Sequence, residues 1–185
     1  MALKLGSYNV FSRDEALLQH HRKMPSLIIA VSVFGQVAHL QSWNKYCQKN
    51  GVPFLPVFLN DLVGYIGPLT IPGETACFQC LLHRLNSNDR VGLFDTNFDL
   101  DSASARAVTP IHPAMLNVLA EVTSLEVFKH HALSFPFVGR LIEVNLLQVE
   151  VHTRKLLRVP RCAGCSNFER TPSVGIDEVH YFGIT

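Results

Sequence analysis

Ser26-Leu-Ile-Ile-Ala-Val-Ser-Val-Phe34 is the stretch on which the fold turns. It is short, continuous and rich in β-branched residues, the pattern of a strand buried on both faces of a parallel sheet. Working outward toward the N-terminus, Pro25 ends a helix expected over Arg13–Lys23, where Ser12 stands three residues before Glu15 at capping-box spacing. Leu3–Val10 alternates as a strand before it. In the other direction Gly35 breaks the run, Gln36–Asn50 reads as a helix with Gly51 at its C-terminal glycine position, and Val52-Pro-Phe-Leu-Pro-Val-Phe-Leu59 is the next strand. The order β-α-β-α-β predicts right-handed crossovers and a parallel sheet in an α/β fold.

Beyond Val63 the character changes. Gly64, Gly67, Pro68, Pro72 and Gly73 punctuate short apolar pieces, as in a strand pair or meander, and lead to Cys77-Phe-Gln-Cys80 and a short helix over Gln79–Leu85. Asn86–Thr109 is polar and too long for an ordinary connection, so a partly mobile crossing segment is expected. Ala114–His131 is the longest helix, with Met115, Leu119, Val122 and Leu125 at three- and four-residue spacing. Gly139–Val159 has a hairpin pattern around His152-Thr-Arg-Lys155 and delivers the chain to Cys162-Ala-Gly-Cys165. Residues 1–166 are expected to form one domain and 167–185 a tail or linker.

The cysteines carry the chemistry. A Cys-x-x-Cys turn brings two sulfurs close enough to share one tetrahedral zinc, and its amides can point at the thiolates. Here there are two such pairs, Cys77/Cys80 and Cys162/Cys165, which together complete a four-thiolate shell. Redox dithiols of the thioredoxin type normally come singly, at a helix start within their own βαβ unit. A closed shell leaves no position for water, so the expected zinc is structural and staples the hairpin region. Arg84, Arg158 and Arg161 lie near enough in sequence to offset its two net negative charges. Cys47 is left over in a helical stretch and reads as a small core hydrophobe.

The remaining composition narrows the function. Hydrophobic residues make up 48% of 185 and charged ones 17%, which suits a globular chain. A formal charge of +1 gives no electrostatic footprint for nucleic acid or for an anionic membrane. Leu27–Phe34 is the longest strongly apolar run, less than half of a bilayer span, and no signal-peptide pattern opens the chain; a cytoplasmic location is expected. No G-x-G-x-x-G and no G-x-x-x-x-G-K-[ST] occurs, so ATP binding by this chain alone is not expected. His20-His21 and His130-His131 lack partners at ligand spacing, and Asp95, Asp99 and Asp101 lack the glycine and closing glutamate of a calcium loop.

Leu27–Ser32, the helix over Trp43–Tyr46, Gly51-Val-Pro-Phe-Leu-Pro56, Gly64-Tyr-Ile-Gly-Pro-Leu-Thr-Ile-Pro-Gly73 and Arg158-Val-Pro-Arg-Cys-Ala-Gly-Cys165, with the first cysteine pair, resemble the ThiF-like, SagC-type component of azoline-forming cyclodehydratases. The likeness runs over roughly residues 26 to 166 and matches the second half of that fold. It implies a Rossmann-type α/β parallel-sheet fragment with a zinc-stapled hairpin, a homodimer, a YcaO-type cyclodehydratase as partner, and a ribosomal precursor peptide whose Cys, Ser or Thr become thiazolines or oxazolines, as in bacteriocin biosynthesis. In that family a separate N-terminal winged-helix segment binds the leader peptide, and no room for one is expected before Leu27. Activating ThiF/MoeB-type enzymes carry a glycine-rich nucleotide loop and often a cysteine nucleophile in the crossing loop; here Val33-Phe34-Gly35 follows the strand and Asn86–Thr109 has no cysteine, so no catalytic residue is assigned. Three functions follow: a non-catalytic scaffold of the cyclodehydratase, an adenylating or sulfur-transferring enzyme whose nucleotide half comes from elsewhere, and a stand-alone zinc-stapled binding module.

Overall fold

The computed structural model describes residues 25–32, 37–60, 62–88, 112–132 and 138–166. Expectations for Leu3–Val10, Arg13–Lys23, most of Asn86–Thr109 and the tail from residue 167 lie outside them, as do His20, His21, Asp95, Asp99 and Asp101. The described residues form eight elements: β1 (Ile28–Ser32), α1 (Val37–Asn50), β2 (Phe54–Asn60), β3 (Val63–Ile66), α2 (Phe78–Asn88), α3 (Pro113–Ala132), β4 (Arg140–Asn145) and β5 (Glu150–Lys155). Among the described residues no helix is long and apolar enough to cross a membrane.

The strands form one sheet in the order β1-β2-β3-β4-β5. Only β1 and β2 run parallel, joined through α1; β2–β3, β3–β4 and β4–β5 are antiparallel. The expectation of a parallel sheet therefore holds for one pair. After β2, short connections reverse the chain: two residues separate β2 from β3 and four separate β4 from β5, and connections this short can only join antiparallel neighbours. The class is mixed α/β.

Sheet register sorts the core onto two faces. Phe54 and Phe58 of β2, with Ile28 and Ala30 of β1, point toward α1 and α2. α1 answers with Leu40, Trp43, Asn44 and Cys47 at the i, i+3, i+4, i+7 spacing of a buried helical stripe, so Cys47 is a fully buried core residue. It ends where Gly51 takes a φ of +69° and Val52 N–H donates to Cys47 C=O at 3.0 Å, the 6→1 bond of a Schellman turn. Phe58 stacks on Tyr65 with ring centres 4.8 Å apart and meets Phe78 of α2 edge-on at 5.8 Å.

Leu55, Val57, Leu59, Ile66, Ile142 and Val144 point to the other face, where α3 lies. It seats over Gly64, where an added Cβ would collide with the Leu119 side chain, so the bare glycine gives that side chain its place against β3. Of α3's side chains only Leu119 and Thr123 are buried, while Leu116, Val118, Leu125 and Phe128 are exposed. β1 is likewise not buried on both faces as its largely apolar sequence predicts: Ile29 and Val31 are 40% and 64% exposed. They share the α3 face, and α3 does not reach them.

The β4–β5 hairpin exists, but its turn lies at Leu146–Val149 and not around His152–Lys155, which belong to β5. Asn145 decides this, because its Oδ1 accepts the N–H groups of Leu147 and Gln148, both at 3.1 Å, and so turns the chain there.

Candidate metal centre

The two cysteine pairs arrive from different elements. Cys77 precedes α2 and its carbonyl accepts the N–H groups of Cys80 and Leu81 at 3.0 and 3.3 Å, so it serves as the helix cap and Cys80 lies in the first turn. The expected helix is there, somewhat longer than Gln79–Leu85. The second pair sits in a turn beyond β5, closed by Cys165 N–H and Ser166 N–H to Cys162 C=O at 3.3 and 2.8 Å. Thr70 anchors the lead-in to the first pair: fully buried, its Oγ1 reaches the carbonyls of Pro68 and Ala76, both at 3.2 Å.

All four sulfurs are buried and lie within 4.8 Å of one another. Cys77–Cys80, Cys77–Cys162 and Cys80–Cys165 are 3.9, 3.8 and 3.5 Å apart, and none of the four is in a disulfide. A tetrahedron built on zinc–sulfur bonds of about 2.3 Å has edges of about 3.8 Å, so the cluster matches a four-thiolate metal shell in donor type and spacing. Cys77, Cys80, Cys162 and Cys165 can therefore hold a metal ion together.

Hydrogen bonds and cations prepare the site for negative charge. Val159 N–H donates to Cys80 Sγ and Gly164 N–H to Cys162 Sγ, both at 3.4 Å. The hydrogen bond from Cys77 pulls the Cys80 thiol down to about 4, with the Val159 amide assisting. The same bond, and then burial, push Cys77 far up. The two shifts are opposite because the sulfurs share one proton, and Cys80 ionises first. Burial foremost, then the hydrogen bond to Cys80, raises Cys165 to about 11.

Of the three arginines expected to offset the charge, Arg158 is built in most firmly: its guanidinium donates to Gly73 C=O at 3.0 Å and to Cys165 C=O at 2.7 Å, spanning the approaches to both pairs. Arg84 donates to Leu157 C=O at 3.3 Å, and Arg161 is exposed with a φ of +56°. Sequence reading missed Asn44. This buried side chain on α1 accepts the Phe78 N–H at 3.1 Å and so holds the start of α2. Its only signal was a polar residue four positions after Leu40, within an apolar helical stripe.

The fold is shared with heterocyclase TruD and with E. coli MccB. TruD superposes with a TM-score of 0.56 at 23% identity, over 76% of this chain and 22% of its own length. E. coli MccB with MccA-N7isoASN gives 0.59 at 20% identity, over 86% of this chain and 45% of its own. A heterocyclase in complex with substrate and cofactor gives 0.59 at 21%, over 76% and 20%. The chain thus spans less than half the length of each. No protein-family model matches the chain, and no curated protein matches it. The resemblance noted in the sequence is thereby met at the level of a partial ThiF-like fold.

Proposed function

We propose that this chain is a zinc-stapled, ThiF-like docking component of an azoline-forming peptide cyclodehydratase, working in the cytoplasm with a YcaO-type enzyme and a ribosomal precursor peptide. The observation that carries the reading is a four-cysteine cluster of zinc dimensions inside a fold shared with heterocyclases. When bound, zinc supplies a closed, redox-inert cross-link and no open coordination position. Cys77 and Cys80 tie it to α2, Cys162 and Cys165 tie it to the chain leaving β5, and Arg158 neutralises part of the charge. In this reading the chain contributes no catalytic residue and no ATP site of its own; it presents surfaces. Support for self-association and for docking on the enzyme comes from the exposed apolar side chains of β1 and α3.

Freshly purified, reduced protein should contain about one zinc per chain, and Cys162→Ser should lose it along with thermal stability. The protein should be retained on an immobilised YcaO-type enzyme. Absence of zinc from the reduced protein, or a melting curve unchanged by Cys162→Ser, would remove the staple; a strictly monomeric chain with no retention would remove the scaffold.

A second reading is supported by the likeness to E. coli MccB solved with ATP: an adenylating enzyme completed by another polypeptide. ATP–pyrophosphate exchange with a candidate acceptor peptide separates the two, since the scaffold gives none.

A further inference from the structure

Metal ligands fix which ion is taken, but something must bring two segments 85 residues apart into one tetrahedron. Two residues outside the ligand set meet at that junction. Asn44 is 4% exposed, and its Oδ1 holds the N–H of Phe78, the first residue of α2. That N–H is one of the four at a helix start with no partner inside the helix. Because Cys77 caps the same helix, anchoring Phe78 to α1 also fixes where Cys77 stands. One turn earlier on α1, Gln41 donates to Gln79 at 3.3 Å, so α1 grips both residues that lie between the first two cysteines.

The amide's other end faces the second knuckle. A Cβ added to Gly164 would stand 3.4 Å from Asn44 Nδ2, 3.1 Å from Cys77 Sγ and 2.9 Å from Gln79 Cβ, closer to the last than real side chains come. Gly164 also donates its N–H to Cys162 Sγ. It therefore bonds a ligand of one pair and leaves free the space that a side chain would take beside a ligand of the other, where Cys77 and Cys162 come 3.8 Å apart.

We propose that Asn44 and Gly164 form a latch that registers one cysteine pair against the other, making them positioning residues for metal affinity and coordination geometry. The inference rests on the four-cysteine cluster being a metal centre. It also links that centre to α1, and through α1 to the sheet. A purely packing role predicts something different: equal loss of stability with and without metal, and no change in the metal's own properties.

The test uses the full chain as wild type, Asn44→Ala, Asn44→Asp and Gly164→Ala. Zinc affinity is measured by competition with a chromophoric chelator, coordination geometry from the absorption bands of cobalt(II) in place of zinc, and folding from melting curves with and without metal. Asn44→Ala and Gly164→Ala should lower zinc affinity by about 10- to 100-fold, the usual cost of losing a group that orients a ligand, and should shift the cobalt bands. Asn44→Asp keeps an oxygen for the Phe78 N–H and should restore the wild-type band pattern. Unchanged zinc affinity and cobalt bands in Asn44→Ala and Gly164→Ala, whatever their melting temperatures, would overturn the latch while leaving the metal centre standing. No uptake of zinc or cobalt by the wild type would overturn both. If Gly164→Ala does not fold, the two Asn44 variants decide alone.

Discussion

The two faces of the sheet are built to different standards. On one, α1 and α2 bury Phe54, Phe58 and Phe78 completely, and the cysteine cluster adjoins them. On the other, α3 covers the middle of the sheet and leaves Ile29 and Val31 of β1 and Val151 of β5 in solvent. α3 itself carries apolar residues around its circumference, an arrangement found in helices that are buried on more than one side. β1 shows the contrast within one strand, since its buried and exposed residues alternate although four of its five residues are apolar. Apolar content alone thus marks surface meant to be covered, without saying whether this chain does the covering.

The largest expected effect lies on the complete face. Phe58→Ala removes a ring held between Tyr65 and Phe78 and should cost about 3–5 kcal/mol in denaturant unfolding. Leu119→Ala, the main anchor of α3 on Gly64, should cost about 2 kcal/mol, the low end for a buried leucine, because α3 has few other buried side chains. Equal losses at the two sites would erase the distinction between the faces.

Smaller still is the pH response of metal-free protein, which reports the cluster at the edge of the complete face. Cys77 and Cys165 have folded-state values above the ordinary 9.0, so their contribution is present below that value and is lost as pH rises through about 11 for Cys165. Cys80 runs the other way: its contribution is present above 9.0 and is lost as pH falls toward about 4. Melting curves of chelated protein should therefore weaken on both sides, whereas metal-loaded protein, with all four thiolates already formed, should weaken only on acidification. Alkaline weakening of equal size in both samples would show that the thiols are not its source.

The smallest change in stability is expected on the thin face. Leu125→Ser and Phe128→Ser should each alter unfolding by no more than about 1 kcal/mol, since both side chains are already about half exposed. Their effect should appear instead in light scattering across a concentration series, as weakened self-association. If both variants lose several kcal/mol as monomers, α3 is more deeply packed than its exposure indicates.

Much of this could be read from the sequence wherever a local rule governed. The β1 run, the helix ending at Gly51, the long α3 helix and all four cysteines followed from periodicity, a glycine stop and paired spacing. What escaped was non-local. The reversals at β2–β3 and β4–β5 were signalled as a meander and a hairpin, but the pairing of β3 with β4, which joins both to the parallel β1–β2 pair in one sheet, spans 73 residues between Ile66 and Arg140, and the hairpin turn went to Asn145 because a side chain captured two backbone amides. In the site, the pairing of the four clustered cysteines was legible from spacing, but Asn44 was not, because its partner Phe78 is 34 residues away and only the folded chain brings them together.

The separation of the two cysteine pairs also sets a schedule for a chain growing from a ribosome. Cys162 follows Cys77 by 85 residues, and at synthesis rates of about 5–20 residues per second the first pair emerges roughly 4–17 s before the second. During that interval Cys77 and Cys80 offer half a shell, open to exchange with other thiols in the cell. A metal held by all four sulfurs would be secured only after β5 has been made, so in the proposed reading the cross-link closes late in synthesis.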